Sequence, residues 1–280
     1  MGTHRAPFLY RRRKRLWRKP IVWVAGVAGT VAVAVVVAMT TDVVWPLLDM
    51  INPPVPIKVV STTWMTGAEL GPAGYVIPAA AIAGLSENEV KFFLEKPTDG
   101  FAPWLKAHGA VAVGSVVWQV VLEGGLRGEL LVVGLRPVLD GACTQAAPGG
   151  NLIETVAEGP VGQSVYDTDI DAKEPVFVRV DVDAKRKPAF TDLVVRLPRG
   201  EHNSLLFRAN SRGPYCKFRI ELTYLADGHN HSMMISAPDG RPFEVTGHAA
   251  YKWVYRPPVV CGKVARIPGA GWSPGSTKCS

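Results

Sequence analysis

The sequence predicts a mainly β protein: a single N-terminal transmembrane helix followed by an extracytoplasmic β-sandwich-like domain with one or two short helices. Three observations predict it. One uncharged apolar run stands near the N-terminus. After it come many short runs of alternating apolar and polar residues, separated by turn pairs. All four cysteines lie on the far side of the apolar run.

The run Ile21–Met39 (IVWVAGVAGTVAVAVVVAM) is 19 residues long and carries no charge. As a helix it reaches roughly 28 Å at about 1.5 Å per residue, close to the thickness of a hydrocarbon core. In lipid a helix pairs every backbone N–H and C=O within one segment, so the high valine content is no obstacle. A water-facing helix of this length would show a polar stripe, and this run has none. We therefore place a transmembrane helix at 21–41, after a basic cytoplasmic tail at 1–20.

The tail sets the expected orientation. Residues 1–20 hold eight Lys/Arg and no Asp/Glu, and Asp42 follows the span. Positive-inside logic puts the N-terminus in the cytoplasm and the C-terminal part outside the cell membrane. Trp17, Trp23 and Trp45 fall where aromatic belts sit. A cleaved signal peptide would have a shorter apolar core and a small-x-small site. Ala38-Met39-Thr40 matches that poorly, so an uncleaved signal anchor is expected. The other 260 residues hold 23 Lys/Arg against 24 Asp/Glu, so the net charge of +7 belongs to the tail. The tail is read as a topology determinant on anionic lipid and not as a nucleic-acid arm. Ala25 and Gly29 form a small-xxx-small pair, a spacing that chance supplies freely in such a span.

Residues 42–56 carry Pro46, Pro53, Pro54 and Pro56 and read as a stiff spacer. From 57 to 280 the pattern is that of one β-rich domain. Ile57–Thr63 is a β-branched run. Ser115–Glu123 and Gly128–Val138 flank Gly124-Gly125, as the arms of a hairpin would. In Val176–Asp183 the four valines alternate with Arg179, Asp181 and Asp183, which predicts Val176, Val178, Val180 and Val182 facing inward. In Tyr215–Leu225, Phe218, Ile220 and Leu222 should face in against Lys217, Arg219 and Glu221. Leu152–Ala157, Leu193–Leu197, Ser204–Ala209, Ser232–Ser236, Phe243–Gly247 and Tyr251–Tyr255 are further strands. Asp140-Gly141, Pro148-Gly149-Gly150, Asp227-Gly228 and Asp239-Gly240 are turns between them. One helix is signalled near 87–96 by the Ser86/Glu89 capping box and by Val90, Phe93 and Leu94. Ala102–His108 makes a second short turn before Gly109.

Cys143, Cys216, Cys261 and Cys279 are an even set on the expected oxidising side, which points to disulfides. Three connectivities are open, and spacing does not choose among them. We expect Cys261–Cys279 stapling the Pro/Gly-rich tail and Cys143–Cys216 bridging the core. No pair has the close spacing of a zinc ligand set.

Candidate chemistry is sparse. Asp167, Asp169 and Asp171 form D-x-D-x-D, hard oxygen ligands that could hold calcium outside the cell. An EF-hand register fails, because position six would be Ala172 and position twelve Val178; a solvated edge strand is the simpler reading. His229 and His231 are two apart and could begin a zinc site, with Asp227 or His248 as further ligands. Their place beside Asp227-Gly228 makes polar turn residues the simpler reading. Glu123 and Glu129 could face each other across the expected hairpin as a glycosidase pair does, or stand as exposed strand ends. No nucleophile elbow, H-E-x-x-H, P-loop or dinucleotide fingerprint occurs. Trp64, Trp104, Trp118, Trp253 and Trp272 are candidate exposed aromatics for binding glycans; of these Trp118 reads as core, and Trp272 in PGAGWSPGS is the best candidate for an exposed platform. No catalytic residue and no cofactor is assigned.

The stretches GLRPVLDGAC (134–143), YCKFRIEL (215–222) and GRPFEVTG (240–247), behind a basic tail and a single span, resemble uncharacterised single-pass membrane proteins of actinomycete bacteria. The Ala/Gly/Val/Arg/Pro bias is similar to that of high-GC coding. The resemblance implies an anchored outer domain and carries over no residue role. The function expected is that of a non-enzymatic envelope protein that binds, senses or scaffolds. Its partners would be the lipid bilayer and a cell-wall component or a protein, with no nucleic acid. The alternatives are an anchored or secreted hydrolase of cell-wall glycans and an accessory subunit of a membrane complex.

Overall fold

A computed structural model describes residues 55–280 apart from 66–73, 83–85, 96–100, 127–129, 146–149, 156–163, 182–184, 189–194, 271, 274–275, 277 and 280. The expected tail, membrane span and nearly all of the spacer lie outside the described residues. Among the described residues no helix is long and apolar enough to cross a membrane.

The architecture is mainly β, in two sheets. The first holds β1 (Ile57–Trp64), β4 (Ser115–Gly124), β11 (His202–Asn210), β7 (Val165–Asp169), β8 (Val178–Val180) and β9 (Arg186–Pro188), in that order. The second runs β10 (Val195–Arg196), β5 (Leu131–Leu139), β12 (Tyr215–Ala226), β14 (Phe243–Thr246), β3 (Val111–Val113), β2 (Gly74–Ile77), β6 (Asn151–Glu154), β15 (Trp253–Arg256) and β16 (Ala265–Pro268). Off this path, β13 (His229–Ile235) pairs with the second half of β12.

Strand alternation explains the core. In β12, Cys216, Phe218, Ile220, Leu222, Tyr224 and Ala226 are buried and Lys217, Arg219 and Glu221 point away, the face expected from the sequence. They share one apolar cluster with Val116, Val120 and Leu122 of β4 and Leu205, Phe207 and Ala209 of β11. Each large apolar side chain so buried contributes about 1.5–3 kcal/mol. Trp118 of the first sheet meets Phe243 of the second at 4.9 Å between ring centroids.

Two expectations fail, each for a physical reason. Gly124-Gly125 does not close a hairpin: β4 pairs with β1 and β11, whereas β5 pairs with β10 and β12 in the other sheet. The glycines serve close backbone approach. A Cβ on Gly125 would come 1.9 Å from the Val55 carbonyl oxygen, and one on Gly124 would come 2.3 Å from that of Leu197. The second failure is the face of Val176–Asp183. Phe177 and Arg179 are buried while Val176 is 61% exposed. Phe177 packs on Phe207 at 5.6 Å, and a phenyl ring buries more apolar area than a valine.

By contrast, Asp227-Gly228 does join β12 to β13, with φ of 50° and 76°, the paired left-handed conformations of a tight hairpin. β2, β3, β7, β9 and β16 are strands beyond those expected, most of them too short to show a period.

Four helical segments occur among the described residues, two more than expected. α2 (Glu87–Glu95) has the expected cap: the Glu89 amide donates to Ser86 Oγ at 3.2 Å. α3 (Phe101–Ala107) buries Phe101, Trp104 and Leu105 and is followed by Gly109 at φ 62°. The additional α1 (Ala79–Ile82) and α4 (Pro258–Cys261) are single turns that follow Pro78 and Pro257. α4 carries proline at its start and Gly262 in the left-handed C-cap conformation.

Candidate binding cleft

A cleft opens beside Lys106 of α3. In the β1–β4 register Trp64 stands opposite Trp118, and their rings stack at 5.9 Å with 17° between planes. Facing them are Ala110, Ala112 of β3 and Ala237. Together the three methyl side chains and the two indoles line a small cleft of about 60 Å³. Tyr75 stands edge-on to Trp64 at 5.1 Å.

Around the mouth the groups are ionised. Lys106 of α3 lies 3.4 Å from Asp239, and Arg241 Nε donates to Asp239 Oδ2 at 2.6 Å. Burial alone would raise the Asp239 pKa, but the guanidinium of Arg241 and the ammonium of Lys106 outweigh it and hold the carboxyl low. Glu244 is 3.6 Å from Lys217. The 237–241 turn that carries Asp239 is tight: Ala237 N donates to Arg241 O at 3.0 Å, and Gly240 takes φ 75°.

Three polar atoms of the neighbouring aromatics are enclosed in the packing. Among the described residues no acceptor reaches Trp64 Nε1, Trp118 Nε1 or the Tyr75 hydroxyl, all three buried. Burial also drives the Tyr75 pKa far up, so this phenol stays neutral. A buried donor without an acceptor costs about 1–3 kcal/mol.

The residues singled out from the sequence stand elsewhere. Asp167 sits in the interior of the first sheet, its side chain only 3% exposed. It accepts from Arg208 Nε at 2.7 Å and Asn210 Nδ2 at 2.7 Å, and Arg186 lies 3.1 Å away. Asp169 is 3.7 Å from Arg212, and Asp171 accepts from the Arg212 amide at 2.7 Å. These carboxylates hold cationic side chains and backbone, and the expected solvated edge strand is an inner strand, β7, between β11 and β8. His229 and His231 are exposed on β13, with His231 stacked on Tyr224 at 5.4 Å. Among the described residues no three His, Cys, Asp or Glu side chains cluster to hold a metal ion. Glu123 lies 3.9 Å from Lys58 and 3.6 Å from His202; Glu129 is outside the described residues.

Cys143 is bonded to Cys216 and Cys261 to Cys279, across sequence separations of 73 and 18. Trp272 is not the exposed platform expected of it. It is half-buried, edge-on to Tyr251 at 5.6 Å and 5.7 Å from His248, with its Nε1 enclosed.

Trp104 is buried too, its Nε1 donating to Glu89 at 3.1 Å, and Trp253 lies 4.1 Å beneath the Arg266 guanidinium. The sequence offered Trp64 and Trp118 among five candidate tryptophans, and the Asp239-Gly240 turn, but nothing that joined them. The Trp64–Trp118 contact depends on a strand register spanning 54 positions. No protein-family model matches the chain, and neither a curated protein nor a solved structure matches it.

Proposed function

We propose that the chain is a membrane-anchored extracytoplasmic binding module whose ligand seat is the cleft between Trp64 and Ala112. Two disulfides in a β-rich domain support an oxidising compartment. The apolar run at 21–39 supports anchoring. One observation carries the reading: two stacked indoles and three alanines line one cleft beside an ionised mouth of Lys106, Asp239 and Arg241.

The chemistry favours an acetamido group, as borne by N-acetylated sugars of a cell wall. Its methyl suits the alanine and indole surfaces that line the cleft. Hydroxyls on the same sugar suit the ionised mouth formed by Lys106, Asp239 and Arg241.

Intrinsic tryptophan fluorescence of the full chain, titrated with tri-N-acetylchitotriose, tests this. A saturable change is expected that the deacetylated trisaccharide does not produce and that Ala112→Leu abolishes. No saturable change, or an equal one in Ala112→Leu, would remove the cleft as the seat.

A further inference from the structure

Among the described residues the end strands of the two sheets are protected, and β13 is not. β9 ends the first sheet with Arg186, Lys187 and Pro188, two cations and a residue without a backbone N–H. β1, at the other end, carries Lys58 and a register shift between Val59 and Ser61. In the second sheet β10 is two residues long and includes Arg196, and β16 is four residues long with Arg266 and Pro268. Charges, proline, bulges and short length are the devices by which proteins keep a strand edge from pairing with another chain.

β13 has none of them. Its seven residues, HNHSMMI, include no Lys, Arg, Asp, Glu or Pro, and they pair with β12 without a register shift. His229, Asn230, His231 and Ser232 are exposed, and Met234 is 46% exposed. Among the described residues no strand pairs with its outer edge.

We propose that β13 is the pairing edge for a second copy of this chain, the two β13 strands joining antiparallel about a two-fold axis near Ser232. Self-pairing sets the seven residues against themselves, and with no Lys, Arg, Asp or Glu among them it brings no like charges together. Centred on Ser232, it places Met234 opposite Asn230 and Met233 opposite His231, covering the exposed thioether. An isologous contact closes on itself, so the edge is consumed in a dimer and does not propagate into a fibre. The inference is independent of the cleft and of its ligand.

Single cysteines at Asn230, His231, Ser232, Met233 and Met234 in the full chain, in its own membranes, test it. All four native cysteines are disulfide-bonded, so the introduced thiol is the reactive one. Mild oxidation should cross-link two copies most strongly in Ser232→Cys and not in Glu201→Cys, an exposed site just before β11 of the first sheet. Adding Met234→Lys to Ser232→Cys should lower the dimer about tenfold, the effect of about 1.4 kcal/mol. Absence of dimer at all five positions, equal dimer in Glu201→Cys, or cross-linking to a different protein would overturn the self-pairing.

Discussion

Arg256 of β15 and Glu154 of β6 form an ion pair inside the second sheet, 102 residues apart in sequence. Arg256 Nη2 lies 3.2 Å from Glu154 Oε1, and Nε donates to the other carboxylate oxygen. The same guanidinium donates to the carbonyls of Ser276, at 2.6 Å, and of Lys278. One buried cation, 2% exposed, thus ties two parallel strands to the C-terminal tail that Cys261–Cys279 also holds.

Removing that cation strands a buried carboxylate. Arg256→Met is expected to destabilise the protein by about 3–5 kcal/mol, because the remaining charge loses its partner. Adding Glu154→Leu should recover part of the loss, since no charge is then left buried. Urea unfolding of the two variants checks the sign of the difference.

The disulfides should differ in worth and be closed to alkylating reagents. On the chain-entropy view, Cys143–Cys216, with a separation of 73, stabilises by about 1 kcal/mol more than Cys261–Cys279, with a separation of 18. Comparing the Cys143→Ser/Cys216→Ser and Cys261→Ser/Cys279→Ser pairs by denaturation tests the order. In intact cells a membrane-impermeant maleimide should label the protein only after reduction. Labelling without reductant would contradict the oxidised outer domain.

Asp167 should behave as a structural anion and not as a calcium ligand. Asp167→Asn is expected to cost about 3 kcal/mol, because Arg208 and Arg186 lose the carboxylate between them. Asp171→Asn, at an exposed turn, should cost less than about 1 kcal/mol. Millimolar calcium should leave the melting temperature unchanged; a rise would restore the metal reading of Asp167, Asp169 and Asp171.

Stability should fall as the medium becomes mildly acidic, through His248. Burial holds its pKa below the ordinary histidine value, so the folded protein favours the neutral ring. Its contribution is fully present above about pH 6.5 and is lost as pH falls toward the folded pKa, because the unfolded chain takes up the proton first. Among the described residues His248 Nδ1 has no hydrogen-bond partner, so His248→Phe sacrifices none there. Melting temperatures between pH 7.5 and 5 should drop less in that variant. At lower pH, Asp181 adds a loss: hydrogen bonding to Arg179 lowers its pKa, giving stability present above about pH 4 that disappears on protonation.

Much of the β architecture was legible because its signals are local. The alternation in Tyr215–Leu225 places Phe218, Ile220 and Leu222 inward whatever the partner strands are. Ser86 and Glu89 write the start of α2 within four residues. Asp227-Gly228 closes β12 onto β13 because left-handed backbone is cheapest at such residues. The same kind of reasoning misread Gly124-Gly125, since a glycine pair that admits close backbone approach looks the same as one that turns.

The candidate cleft was not legible. Trp64, Ala112, Trp118 and Asp239 come from four separate elements, and nothing in the residues near any one of them names the others. The sequence by itself determined the alternating strand faces, the turn chemistry and the even cysteine set, because each depends on neighbours a few bonds away. Only the tertiary structure decided the sheet to which β4 and β5 each belong, the inward face of Arg179, the arginine partners of Asp167 and the stacking of two indoles over three alanines. Those outcomes depend on distant surfaces competing for the same core, and that competition is settled only when the sheets pack.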